Sequence, residues 1–588
     1  MNYNLNDLQA NAPKTSTWSS LKKLLQLIDH ERKNLVLALM AILTNSALNL
    51  LGPLIIGHTI DQYIFVQHKN YHGVLVNCGW LLGMYSVALF TSYFQTKLMG
   101  GVGQRMLFTL RNSIFNKLQL LPVGFFNQNK AGDLISRVNN DTDKLNQFFS
   151  QSLMQFIGSI ATMTGAGIFL LSINIKLGSA TLIPAVIILL FTTLTSAWVK
   201  RKNAKNLKSV GGMSAEIQES LNNFKVIIAF NRRDYFRKRF DGANQQNYQT
   251  AVGAGLANNL FVPVYGLFSA MAQLIVLAFG IYLISVKQFE IGLLVAYLSY
   301  ANNFYNPLRQ LAALWASFQT AIAGWDRIAQ ILALETDITT IDNTLAEPSA
   351  ALLEFRNVHF SYDEDKEILH NISFKLKRGK TYALVGPTGG GKTTTASLIA
   401  RLYDPDKGLV LLDGKDIRTY GPVERTQKIG FILQEPFLFT GTVRENILYG
   451  NGQYADYNNE QLEKVILDAN LGSLLAIFES GLETKVLSGG DSISLGQKQL
   501  IAFMRAVLRN PELLILDEAT ANIDTITEKL LGDILNNLPA TTTRVIIAHR
   551  LNTIENADEI FFVNSGEVIL AGSFDHAMDM LLKGKRVS

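Results

Sequence analysis

Residues 34–60 contain no Asp, Glu, Lys or Arg, and neither do residues 70–96. A predominantly apolar run of about 20 residues is long enough to cross a bilayer as a helix. Helix is the form such a run must take, because lipid offers no partner for unpaired backbone amides and carbonyls. Four further stretches read the same way: 145–175, 177–199, the more apolar half of 242–286 beginning near Asn259, and 291–308. Six spans are therefore expected, the sixth continuing as helix past Arg309. The pattern ends after Leu334, and residues 351–588 read as a soluble α/β protein. This division explains why the whole 588-residue chain is only 17% charged and 48% hydrophobic.

The charges between the spans set the topology. Lys22, Lys23, Arg32 and Lys33 precede the first span. Arg105, Arg111, Lys117, Lys130 and Arg137 lie between the second and third, and Lys200, Arg201, Lys202, Lys205, Lys208, Arg232, Arg233 and Arg237 between the fourth and fifth. The links after spans one, three and five are short and charge-poor. Cytoplasmic loops are enriched in Lys and Arg, so both termini and both long links are expected inside. A net charge of +5 could suit nucleic acid, but the basic residues sit between apolar spans, and membrane topology accounts for them. No nucleic-acid partner is expected.

The two long links carry helical patterns at 104–121 and 204–224, with charges on one side, and read as membrane helices running on into the cytosol. Each ends in a short segment, near 122–129 and 224–234. The polar residues 1–18 lack the apolar core of a cleaved signal. Residues 18–28 are amphipathic and could lie along the inner leaflet as an elbow helix. Cys78 is the lone cysteine, so no intrachain disulfide is possible; it reads as a small buried side chain.

Beyond the spans, "TYALVGPTGGGKTTTASLIARL" is an apolar strand, a glycine loop and a helix. The loop fits G-x-x-x-x-G-K-[ST], with Gly386, Pro387, Thr388, Gly389, Gly390, Gly391, Lys392, Thr393 and Thr394 as the phosphate-binding run. Glycines let backbone N–H groups wrap phosphates without a Cβ in the way; the lysine supplies positive charge and the Thr393 hydroxyl a ligand for Mg²⁺. "ELLILDEAT" is a short buried-strand pattern ending in two acids. Asp517 would orient Mg²⁺, and Glu518 would polarise an attacking water, which is much of what phosphoryl transfer requires.

With these motifs in place the chain resembles the ATP-binding-cassette (ABC) exporters over nearly its whole length. Six spans ahead of one ATPase domain is that family's half-transporter plan. The resemblance implies an α-helical membrane domain with long cytosolic extensions, fused to an α/β P-loop ATPase domain. The boundaries are 1–335 for the membrane domain, 336–350 for a linker and 351–588 for the nucleotide-binding domain. It implies that Tyr362 stacks on adenine, and that Gln434 senses Mg²⁺ and abuts the membrane domain. It implies that Asp524 crosses to the opposite site and that His549 contacts the γ-phosphate. Residues 121–143 look like the family's first coupling segment, which docks on the ATPase domains. ATP and Mg²⁺ are the implied cofactors.

The family's signature element, roughly L-S-G-G-Q, opens a helix whose serine and glycine N–H groups hold the γ-phosphate bound on the other subunit. Residues 486–500, "VLSGGDSISLGQKQL", offer two candidates. "LSGGD" fits the letters, but Asp491 places negative charge where phosphate should lie, and "SIS" is a poor first turn. "ISLGQ" leads directly into "KQLIAFMRAVL", a good amphipathic helix, with Ser494 at the N-cap and Lys498 adding positive charge. Ser494, Gly496 and Gln497 are therefore chosen, with Gly489 and Gly490 as a turn. The family's first glycine is then Leu495, which brings a branched side chain to backbone meant to approach phosphate.

In bacterial heterodimeric exporters, the subunit with the intact catalytic acid often carries such an imperfect signature. A non-identical second half-transporter is therefore the preferred partner over a second copy. The Glu-containing segment that many members carry ahead of the signature is missing. The expected function is ATP-driven export of an amphiphilic drug, lipid or peptide by alternating access across the cytoplasmic membrane. An ATP-gated channel or regulatory membrane protein is the alternative. The six spans argue strongly against a soluble ATPase of the DNA-repair type. The near absence of charge within the spans argues against a strongly charged solute. Gln151, Gln155, Asn258, Asn259, Gln273, Asn302, Asn303 and Tyr305 could join helices or line a cavity.

Overall fold

The computed structural model describes residues 3–5, 7, 31–65, 70–336, 340–342, 350–363, 366–487, 493–517, 525–547, 556–572 and 574–583. Its contacts form two units. One is a helical unit, Ala12–Lys117 with Gly132–Leu332; the other is an α/β unit, Ala333–Ser588, which also takes in Met1–Asn11 and Leu118–Ala131. The expected elbow helix at 18–28, and all of the linker except 336, 340–342 and 350, lie outside the described residues.

Among the described residues of the helical unit, five stretches are long and apolar enough to cross a membrane: Arg32–Ile64, Tyr71–Gln119, Ala131–Ile173, Ile175–Asn222 and Arg233–Ser285. The expected helical continuations are present, since Tyr71–Gln119 and Ile175–Asn222 are each one unbroken helix. At 1.5 Å per residue, each is about 70 Å long, more than twice the hydrocarbon thickness. The stretch expected as a sixth span also forms one helix, Ile291–Ala333, but it is not among the five. The physical reason lies in its surroundings. Tyr297, Tyr300 and Tyr305 are buried, and their hydroxyls donate to the carbonyls of Leu170 (2.5 Å), Leu50 (2.7 Å) and Thr181 (2.6 Å). A helix surrounded by other helices can carry polar groups that a lipid-facing one cannot.

The interior of this unit is Leu50, Ala166, Leu170, Val276, Leu283 and Ala296, with the three tyrosines. Trp80, Leu82, Leu89, Phe90, Leu190 and Leu194 face outward. Cys78, expected to be buried, is exposed: it sits on the outward side of a helix whose interior contacts are few. The first and last helices meet at Gly57 and Gly292, where a Cβ on Gly292 would stand 2.1 Å from the Gly57 carbonyl oxygen. Beside that contact, the Asp61 carboxylate accepts from the amides of Gly292 (2.6 Å) and Leu293 (3.0 Å), capping the last helix. The substrate-cavity candidates divide. Gln273 donates to Asn302 (2.7 Å), Asn258 and Asn203 bond reciprocally, and Tyr305 is tied to Thr181, so these join helices. Gln155 instead lines a cavity of about 240 Å³ with Asn45, Ser46, Gln95, Thr162 and Gln310.

The α/β unit holds a six-stranded sheet in the order Glu567–Leu570, Glu559–Asn564, Thr381–Val385, Thr543–Ile547, Leu513–Asp517, Ile429–Ile432. Every pairing but the first is parallel. Leu513–Asp517 is buried at every position, as expected for a strand with both faces covered. An antiparallel sheet of Lys366–Lys377, Ala351–Asp363, Lys407–Leu412 and Lys415–Asp416 closes one side over a core that includes Phe355, Phe374, Leu384 and Phe561.

Candidate nucleotide site

Parallel pairing places four strand ends on one edge. Leu384 and Asp517 both lie opposite Ile547, and Leu516 lies opposite Ile432. The phosphate loop, Asp517 and the segment carrying Gln434 therefore all leave the sheet at its C-terminal edge, where ligands bind in open α/β sheets.

The loop follows Thr381–Val385 and ends at the helix Lys392–Ile399. Gly386 (φ +146°) and Gly391 (φ +112°) adopt backbone that L side chains rarely take. A Cβ on Gly386 would also stand 2.0 Å from the Val563 carbonyl oxygen, so the neighbouring strand leaves room only for glycine. Pro387, Thr388 and Gly389 are exposed at the loop tip, whereas Gly390 and Thr394 are buried. The Lys392 side chain is buried, and its ammonium donates to the carbonyls of Gly386 (2.8 Å) and Pro387 (3.0 Å). Those bonds hold a positive charge within the loop, beside the start of a helix, whose dipole favours anions.

Thr393 is exposed, and its hydroxyl donates to the Asp517 carboxylate across 3.3 Å. Two hard oxygen donors, one of them anionic, stand together at the mouth of the loop. That donor set fits Mg²⁺, which takes oxygen ligands and keeps several waters when bound near phosphates. Gln434 is exposed just beyond Ile429–Ile432, next to the acid-bearing strand.

Tyr362 is 39% exposed at the end of Ala351–Asp363, and its hydroxyl bonds Thr394 Oγ1 (3.1 Å). Its ring meets Tyr403 edge-on at 5.1 Å. Sequence reasoning missed Tyr403, which links this aromatic to residues far away in the chain. Its hydroxyl accepts from Asn127 Nδ2 (2.6 Å), and Gly124 lies against the same ring. Burial pushes the Tyr403 phenol up from its ordinary pKa, with a further contribution from Tyr362, so it stays a neutral hydrogen-bonding group. No local pattern could have pointed to a contact 276 residues apart.

The signature helix runs Leu495–Val507 with Ser494 as its N-cap, as its sequence predicts. Ser494 Oγ accepts from the Gln497 amide (3.2 Å), and the Gln497 side chain accepts from the Ser494 amide (2.9 Å), a complete capping box. Leu500, Ile501, Phe503 and Met504 bury one face. Ser494 is exposed, Gly496 and Gln497 are half-buried, and Leu495 is 42% exposed in the first turn. Its side chain thus stands at the N-terminal end of that helix. The rival turn at Gly489 and Gly490, and Glu518, Asp524 and His549, lie outside the described residues.

Comparison with known proteins agrees with this architecture. Residues 35–308 match the family model of the ABC transporter transmembrane region, and residues 369–521 match the family model described as ABC transporter. The chain is 34% identical over 553 residues to an uncharacterized ABC transporter ATP-binding protein, YfiC, of Bacillus subtilis, covering 93% of this chain and 90% of that protein. It is 31% identical to a fatty acid ABC transporter ATP-binding/permease protein of Mycobacterium bovis, over 84% of this chain and 77% of that one. It is 30% identical to a probable multidrug resistance ABC transporter ATP-binding/permease protein, YheH, of Bacillus subtilis, over 84% and 74%.

Proposed function

We propose, starting from the premise that this chain belongs to the ABC transporter family as a transmembrane region fused to an ABC ATPase domain, that it is one half of an ATP-driven exporter of amphiphiles. The chain is a transport-coupled ATPase. The observation that carries the reading is the junction of Lys392, Thr393 and Asp517 at one sheet edge. Intact phosphate chemistry is thereby fused to helices apolar enough to cross a membrane.

In this reading Tyr362 stacks on the adenine. The loop from Gly386 to Gly391 cradles the phosphates, with Lys392 neutralising them and Thr394 supporting the turn. Thr393 and Asp517, with Gln434, would hold Mg²⁺, which when bound withdraws charge from the outer phosphates. Glu518 takes the proton of the attacking water, His549 faces the γ-phosphate, and Asp524 belongs to the path toward the opposite site. Ser494, Gly496 and Gln497 serve the nucleotide held by the partner subunit. Both termini and the ATPase domain are cytosolic.

The cargo is an amphiphile without a fixed charge. Uncharged amides and hydroxyls line the cavity around Gln95, Gln155 and Gln310, which suits a polar head that needs hydrogen bonds but no counter-ion. The names of the relatives, one for fatty acid and one for multidrug resistance, supply the two cargo classes worth testing. Leu495 in the signature favours a non-identical partner, whose own signature would complete the site built on this chain's Glu518.

The test is Glu518→Gln in the complex purified from its native membrane. ATP binding should persist while turnover falls at least about 100-fold, the lower range for loss of a general base. Turnover near the wild-type rate would mean that another group activates the water. Inside-out vesicles supplied with a dansylated fatty acid or with a Hoechst dye should accumulate the cargo only with hydrolysable ATP. An ATP-gated channel would instead let the probe run down its gradient in the Glu518→Gln complex.

A further inference from the structure

The segment around Tyr3–Leu5 is bound along the short helix Val123–Gln128, more than 100 residues away. Three backbone groups on one edge of the segment are read by two amide side chains. The Tyr3 N–H donates to Gln128 Oε1 (2.7 Å), the Tyr3 carbonyl accepts from Asn129 Nδ2 (2.8 Å), and the Leu5 N–H donates to Asn129 Oδ1 (3.1 Å). The Asn129 amide thus presents a donor and an acceptor as a neighbouring strand would. The same Nδ2 donates to the Phe125 carbonyl (2.8 Å), closing the C-terminal end of the short helix. The side chains add apolar anchoring. Leu5 is fully buried, Tyr3 is 6% exposed, and the Tyr3 ring packs edge-on against Phe125, itself fully buried.

The same short helix is held from a second direction, by Asn127 on the Tyr403 hydroxyl and Gly124 against its ring. Tyr403 in turn touches Tyr362 of the nucleotide site. We propose that residues 3–5 form a positioning clamp. They hold Val123–Gln128 against Tyr403, so that this segment moves as one body with the ATPase unit when nucleotide binds. Gln128 and Asn129 are the residues that recognise the clamp, and they do so through its backbone. This rests on the reading of the chain as an exporter half, in which residues 121–143 transmit ATPase closure.

The test uses the full complex carrying Leu5→Asp, which puts a charge into a buried apolar site without altering the short helix, and a second variant lacking residues 2–5. Hydrogen exchange at 123–129 should quicken at least tenfold in both, while exchange in the phosphate-loop helix stays unchanged. ATP turnover should remain within twofold of wild type. Accumulation of the dansylated fatty acid or Hoechst dye per ATP hydrolysed should fall at least fivefold. Unchanged exchange at 123–129 would overturn the clamp, and so would a fall in transport and turnover by the same factor. If the unaltered complex moves neither probe, the export reading fails instead, and exchange alone decides the clamp.

Discussion

Ser494 has two duties that a substitution can separate. As N-cap its oxygen satisfies an amide of the first turn; as a ligand it would face the terminal phosphate of the neighbouring site. Aspartate is as good an N-cap as serine and favours the positive end of a helix, so Ser494→Asp should leave the melting temperature of the complex unchanged or raised. The same carboxylate would repel a phosphate, and ATP turnover should fall at least tenfold. Ser494→Ala should lose about 1 kcal/mol of stability and also lower turnover. Normal turnover in Ser494→Asp would show that the serine caps its helix and does nothing else. Leu495, next to it, was legible as a departure from sequence alone, and so was Ser494, because capping obeys local rules. Tyr403 was not. Its importance comes from Asn127 and Tyr362, which only the fold brings to it.

Among elements, the long helices were legible because charge-free runs and one-sided helical patterns leave few alternatives. The bonds that seat Ile291–Ala333 were not, since its tyrosine hydroxyls are satisfied by carbonyls on other helices. The ionic lock between Arg137–Asp141 and Ile291–Ala333 was equally hidden. Arg137, 1% exposed, donates to Asp133 (3.0 Å) and to Arg327 O (2.7 Å) and Gln330 (3.1 Å). Asp141, fully buried, pairs with Lys144 (3.0 Å) and with Arg327. This lock fastens Arg137–Asp141 to the far end of Ile291–Ala333. Asp141→Ala should destabilise the complex by roughly 3 kcal/mol, the low end for breaking a buried pair, because Arg327 retains some contact with water. Asp141→Asn keeps hydrogen bonding and should lose less. Thermal unfolding checks both, and ATP affinity should be the same in each. Equal losses in the two variants would show that shape, and not charge pairing, holds these helices.

At the scale of the whole molecule, two surfaces are incomplete. Phe224–Ala229, at the end of the long helix Ile175–Asn222, exposes Phe224 (54%), Val226 (54%) and Ile228 (43%), followed by Phe230 (73%). On the α/β unit a cavity of about 240 Å³ is lined by Leu433, Phe437, Phe439, Tyr449 and Arg505. Its wall is preset, since Arg505 donates to Asn446 O (2.8 Å) and Phe437 O (3.2 Å) and lies over the Tyr449 ring. Exposed apolar side chains gathered this densely have no core of their own to cover them, and such patches mark interfaces. One chain also carries a single phosphate loop and a single signature helix. If each nucleotide is held between a loop and a signature from different chains, both deficits call for one partner. Phe230→Asp should then preserve ATP binding, which needs only the loop, and reduce turnover at least tenfold, because closure needs the partner. Mass analysis of the wild-type complex should find a second, non-identical ABC half-transporter. A complex of two identical chains would place Leu495 over both nucleotides and leave no intact signature anywhere. Turnover at an ordinary rate in such a complex would mean that a leucine at this position does not weaken the grip on phosphate, removing the ground for an unlike partner.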